Sequence, residues 1–258
     1  MLISRLLLVR SYLVKSGKVG LSSIVNNYSR ASMATVTFQT ENKLGDCPGH
    51  MVDVPGCKKG LIVLQEWWGM NDQIKQQATN LSKDGHLTTL VPDLYRGKVA
   101  TDRETAGHYM GDLDWPGAVK DVQAAARFLQ SKGCVKVGVT GFCMGGALAF
   151  AAAALVPEIS AAAPFYGIPG QQLADLTTIK IPVEAHFGKK DTLQGFSSPD
   201  DYRPLVEKLK AAGVDIVLLE YDAGHGFTNF QNPLGTYDEE AAKQALGRML
   251  EFMNEKLE

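Results

Sequence analysis

The chain has 258 residues, 45% of them hydrophobic, enough to bury one large core; length alone permits one or two domains. Its 26 lysines and arginines against 28 aspartates and glutamates leave a net charge of −2, which gives no electrostatic reason to expect nucleic acid or an anionic membrane as partner. No apolar run is long enough to span a bilayer. Cys47, Cys57, Cys134 and Cys143 form no Cys-x-x-Cys pair, so they do not read as a disulfide framework and fit a reducing compartment. Cys47, His50 and Cys57 could be imagined around a metal, but a fourth ligand is missing, and no metal is expected.

The N-terminal segment differs from the rest. It carries Arg5, Arg10, Lys15, Lys18 and Arg30, many serines and no acid before Glu41. The apolar stretch Leu6 to Val9 is too short for a secretory signal. Basic, serine-rich and acid-free composition describes an organelle transit peptide over residues 1–34, mitochondrial or alternatively plastid, removed in the cell. A disordered basic arm is the plainer alternative. Initiation at Met33 would give a short cytoplasmic form without the leader.

Past the leader, strand-like and helix-like segments alternate. Leu61 to Leu64 is a continuous apolar run of the kind found in strands buried on both faces. Asn71 to Lys83 has helical character with an Asn-Asp start suited to capping. His86 to Leu90 reads as strand. Ala118 to Gln130 places Val119, Val122, Ala126 and Leu129 on one helical face. Val135 to Thr140 is a short β-branched run, and Ala147 onward reads as a buried helix. Ser160 to Phe165, Pro182 to Phe187 and Asp215 to Tyr221 are further strands, with a helix from Asp201 to Lys210. A helical pattern from Tyr237 to Met253 closes the chain. Such alternation predicts one α/β domain over residues 35–258, three layers with a mostly parallel central sheet and helices on both faces.

In such sheets function collects at the carboxyl ends of the strands. Gly141-Phe142-Cys143-Met144-Gly145-Gly146, between strand and helix, has the spacing of a nucleophile elbow with cysteine at its centre. A thiol there lies at a helix N-terminus, where the dipole and free amides favour the thiolate. Asp191 follows the strand ending near Phe187, and His225, flanked by Gly224 and Gly226, follows the strand ending at Tyr221. The order nucleophile, acid, histidine is that of the α/β-hydrolase fold. A neutral histidine would take the thiol proton and return it to the leaving group, while the aspartate holds the imidazole tautomer. The flanking glycines would allow a mobile loop to carry the ring to the nucleophile. His50, His86, His108 and His186 lack that placement; His186, inside a strand, reads as a core or site-supporting histidine.

Leu64-Gln65-Glu66-Trp67-Trp68-Gly69, Val91-Pro92-Asp93-Leu94-Tyr95, the cysteine elbow, Asp191 and Gly224-His225-Gly226-Phe227 together resemble the dienelactone hydrolase family (carboxymethylenebutenolidases), over nearly all of residues 45–256. The resemblance implies that Glu66 lies beside Cys143 and helps to control its ionisation, since a carboxylate next to a thiol disfavours the thiolate unless it takes the proton. The oxyanion hole would be the backbone N–H of Met144, with Trp67 as second donor. In the best-known members arginines bind a substrate carboxylate, and one follows the histidine by four positions; here Asn229 stands there, and Gly226 replaces a serine. Arg96, after Tyr95, is the candidate for the other cationic contact. Trp67, Trp68 and Phe227 suggest an apolar wall.

These features imply a carboxylic ester hydrolase that opens a lactone or small ester through a cysteine thioester. It would act without a cofactor, on a small-molecule substrate, as a monomer or weak homodimer. The alternatives are a thioesterase or broad carboxylesterase on the same residues, or a non-catalytic redox-sensing protein whose Cys143 is oxidised to a sulfenic acid.

Overall fold

A computed structural model describes residues 31–258. The strands are β1 (Ser32–Phe38), β2 (Cys47–Asp53), β3 (Lys59–Leu64), β4 (Thr88–Pro92), β5 (Lys136–Phe142), β6 (Ile159–Phe165), β7 (Val183–Gly188) and β8 (Ile216–Tyr221). They form one sheet in the order β1-β2-β4-β3-β5-β6-β7-β8. β1 and β2 pair antiparallel, as do β2 and β4, and every later pairing is parallel. The helices are α1 (Asp72–Gly85), α2 (Arg103–Gly111), α3 (Trp115–Ser131), α4 (Met144–Leu155), α5 (Pro199–Ala211) and α6 (Glu239–Lys256). α1 packs against α6, and α3 against α4, so helices cover the sheet in two layers.

Each central element carries the pattern its burial demands. β4 and β7 are buried along their whole length, and β3 after its first residue, as expected for parallel strands covered on both faces. α4 is apolar all round, and every residue from Met144 to Ala153 is buried, because it lies against β5 and β6 with α3 beside it. Helix starts are capped locally: the side chains of Asn71, Asp114 and Asp238 accept hydrogen bonds from Ile74, Gly117 and Ala241 amides.

Several expectations from the sequence shift. His86 does not begin a strand. It closes α1 in the left-handed region at φ 52°, and β4 starts two residues later, at Thr88. The antiparallel pair β1–β2 and helix α2 carry weak local signals. β2 contains Pro48 and Gly49, both disfavoured in strands. Glycine at 49 relieves close packing, since a Cβ there would lie 3.0 Å from the Val91 carbonyl oxygen. The expected boundary after residue 34 falls inside β1, whose Ser32 pairs with Asp53. The leader expected over residues 1–34 otherwise lies outside the described residues.

Candidate active site

Three side chains separated by up to 82 positions meet at the carboxyl end of the sheet: Cys143 directly after β5, Asp191 after β7 and His225 after β8. Cys143 sits between strand and helix at φ 54° and ψ −114°, a conformation that non-glycine residues hold only when their surroundings enforce it. The enforcement is close packing. A Cβ on Gly145 would lie 2.5 Å from the Leu64 carbonyl oxygen and 2.6 Å from that of Gln65, and one on Gly141 would collide with the Gly145 carbonyl. The elbow therefore presses directly against the end of β3, which brings the turn containing Glu66 and Trp67 alongside it.

His225 Nδ1 lies 2.7 Å from Asp191 Oδ2, and the Leu193 amide donates to the other Asp191 oxygen at 3.0 Å. That leaves Nε2 as the ring nitrogen open to Cys143, whose charge acts on the ring. Burial opposes the imidazolium, but the negative charge of a Cys143 thiolate, and the hydrogen bonds and charge of Asp191, outweigh it and raise the His225 pKa to about 10. Only 8% of Cys143 is exposed.

The loop carrying His225 is pinned. Asn232 donates to the Gly226 carbonyl at 3.3 Å, and the Thr236 hydroxyl to that of His225. Gly226 has φ 72°, where glycine is favoured, so its small size serves the loop's shape.

Glu66 is 6% exposed and has a partner on each oxygen: Tyr166 OH donates to Oε1 at 3.2 Å and Asn229 Nδ2 to Oε2 at 2.7 Å. Burial, opposed by these donors and by the charge of His225, pushes the Glu66 carboxyl above its ordinary range. A raised folded pKa means that the folded protein holds this proton more tightly than the unfolded chain. The contribution to stability is then present below the ordinary value of 4.5 and lost as pH rises through the folded value. Glu66→Gln cannot ionise, so its stability advantage over the wild type should grow between about pH 5 and about pH 8. Urea midpoints at both pH values check this; an advantage that shrinks with pH would contradict it.

Met144 opens α4, and its amide is among those at a helix start without an intrahelical partner. Among the loop backbone hydrogen bonds of the described residues, none uses the Trp67 amide, which leaves it free to donate. Tyr95 lies beside the elbow, its hydroxyl 3.1 Å from Met144 Sδ, and burial followed by the charge of Cys143 raises its pKa.

Three expected substrate contacts are corrected. Arg96 holds Asp121 through two 2.9 Å hydrogen bonds and also donates to the Asp93 and Gly45 carbonyls, so its guanidinium is committed to the scaffold. Phe227 is 0% exposed and packs edge-on against Tyr166, with Tyr221 beside it; it belongs to the core. Trp68 is buried in a small cluster with Ala100 and Ala106, which leaves half-buried Trp67 as the open part of the supposed wall. His186 is fully buried, stacked on Phe165 at 4.2 Å between ring centroids and 3.0 Å from Tyr221 OH.

Sequence reasoning missed Tyr166, Thr228 and Ser197. Tyr166 directly follows β6 at φ 35°, lies 2.7 Å from Thr228 Oγ1 and sets its ring edge-on 5.2 Å from that of His225. A polar residue immediately after a parallel strand was the available signal. Ser197 Oγ is 3.1 Å from His225 Nδ1, beside Asp191. Nothing in its local sequence marks it, because it reaches the ring from the loop ahead of α5.

The family model described as the dienelactone hydrolase family matches residues 50–257. Among relatives in sequence, Protein usf of Aquifex pyrophilus is 32% identical over 77% of this chain and 88% of its own length. The carboxymethylenebutenolidase of Pseudomonas putida is 30% identical over 75% of this chain and 84% of its own. The crystal structure of a Klebsiella pneumoniae protein superimposes with a TM-score of 0.73 at 23% identity, covering 86% of this chain and 98% of its own. An esterase of Pyrococcus furiosus does so with a TM-score of 0.66 at 17% identity, covering 88% and 94%. At those identities the two structures speak for the fold alone.

Proposed function

The chain belongs to the dienelactone hydrolase family, and from that premise we propose that it opens a lactone or small ester through a thioester on Cys143. The observation that carries the reading is the relay at the sheet edge: Asp191 on Nδ1 of His225 at 2.7 Å, with the Cys143 elbow directly after β5 close enough for its charge to act on the same ring.

The chemistry runs in two halves. The Cys143 thiolate attacks the carbonyl carbon, and the oxygen takes up the charge opposite the Met144 and Trp67 amides. Collapse expels the alkoxide or enolate, which takes the proton held by the His225 imidazolium. An enol suits this site as leaving group, because it departs without strong protonation. In the second half His225 removes a proton from water, the hydroxide attacks the thioester, and the acid leaves as the thiolate and imidazolium are restored. Asp191 holds the ring so that Nε2 faces the sulfur throughout. Glu66, held by Asn229 and Tyr166, shapes the charge around the acyl group.

Incubation with a dienelactone and with a simple aryl ester, followed by acid quench and intact-mass spectrometry, tests the reading. Turnover with an acyl adduct confined to Cys143 is expected. An adduct on another residue, or turnover with no dependence on Cys143, would refute the thioester.

A further inference from the structure

We propose that Ser197 is a positioning residue for the catalytic imidazole, sharing the Nδ1 proton of His225 with Asp191. The inference rests on the proposed ester or lactone hydrolysis at Cys143.

Ser197 is 0% exposed, and its Oγ lies 3.1 Å from His225 Nδ1, the nitrogen that Asp191 Oδ2 meets at 2.7 Å. An ionised carboxylate can only accept hydrogen bonds, so Nδ1 carries a proton whenever it is paired with Asp191. A hydroxyl beside the same N–H can act on it only through its own lone pairs. The proton is then shared between two oxygens, one charged and one neutral. Among the described residues that ring nitrogen is the one hydrogen-bond partner of the Ser197 hydroxyl.

One residue sets the position of both acceptors. The Leu193 amide donates to Asp191 Oδ1 at 3.0 Å, and the Leu193 carbonyl accepts the amides of Phe196, Ser197 and Ser198 at 3.3, 3.0 and 3.1 Å. The Gly195 amide donates to Asp201 Oδ2 at 2.9 Å, which ties the same loop to the first turn of α5. Ser197 is therefore held in place by backbone bonds that do not involve its side chain.

Two acceptors at different angles restrain the ring more than one, because a swing of the imidazole must weaken both. They also keep Nε2 as the nitrogen that exchanges a proton with sulfur, leaving group and water. A hydrogen bond strengthens when its donor is charged, so the serine contributes most in the states that hold the imidazolium.

The test uses the full chain and a simple aryl ester. Ser197→Ala is expected to lower kcat roughly tenfold, the size of one hydrogen bond to a charged group, with little change in KM. Ser197→Thr, which keeps the oxygen, should retain most of the activity. In an Asp191→Ala background the serine is the acceptor that remains, so its removal should cost several-fold more than in the wild type. The His225 imidazolium, followed by NMR, should titrate at lower pH in Ser197→Ala, because an acceptor for the charged form has gone. Ser197→Cys, whose thiol is a weak acceptor, serves if the alanine variant does not fold. A folded Ser197→Ala protein with the wild-type kcat, or with an unmoved His225 titration, would overturn the proposal. Equal losses in the two backgrounds would do the same, since they would mean that the serine acts by packing. No hydrolysis by the wild type would remove the hydrolase reading alone, and the titration would still decide whether Ser197 holds the ring.

Discussion

Replacing Cys143 with alanine is expected to lower kcat for ester or lactone hydrolysis by more than about a thousandfold, since loss of a nucleophile removes the covalent route. The fold should survive. Alanine and cysteine both carry a Cβ, so the strained backbone at φ 54° is unchanged, and the loss of one sulfur atom from a nearly buried position costs on the order of 1 kcal/mol. The variant should also report on the pair. A Cys143 thiolate is the largest of the influences that raise the His225 pKa to about 10, so the imidazole should titrate at lower pH in its absence. Kinetics, thermal unfolding and an NMR titration of His225 check the three parts. Hydrolysis at the wild-type rate by pure Cys143→Ala would end the covalent reading; an unmoved histidine would mean that the two side chains are not coupled.

Asp121→Ala is expected to destabilise the protein by roughly 3–5 kcal/mol, a large part of the stability of an ordinary domain. Asp121 has a fully buried side chain on α3. It receives both terminal nitrogens of Arg96 and, at 2.9 Å, the amide of Asn42. Arg96 is 16% exposed and holds φ 54° in the loop after β4, so removal of its partner strands a largely buried guanidinium. Asn42 ties the segment between β1 and β2 to the same carboxylate, which makes Asp121 the junction of three pieces of chain. Arg96→Met with Asp121→Leu should lose less than the single substitution, because it removes both charges together. Chemical denaturation of the two variants decides it, and equal losses would show that the ion pair is not the source.

The parallel part of the fold was legible because strand-like runs alternate with helical patterns: β3 is a continuous apolar run and β5 is rich in β-branched residues, although β7 buries Glu184 and His186 among its apolar side chains. The edge was not. β1 alternates only weakly, and β2 carries Pro48 and Gly49, the latter packed closely against Leu90 and Val91 of the neighbouring strand. At the site, Cys143, Asp191 and His225 could be singled out because each follows a strand and their order along the chain carries information. Arg96 and Phe227 could not be judged that way. Whether an arginine faces substrate or a buried aspartate depends on α3, 25 positions away.

The sequence by itself determined the alternation of elements, the sharp turn at Cys143 and the placement of reactive groups beyond strand ends. These rest on local sterics and on periodicity within a few residues. Tertiary structure alone decided what surrounds those groups. It put Tyr166 and Asn229 on the two oxygens of Glu66 across 100 and 163 positions and set Ser197 beside the histidine. It also turned Arg96 away to Asp121. The physical reason is that hydrogen bonding and desolvation act over a few ångströms in space, whatever the distance along the chain.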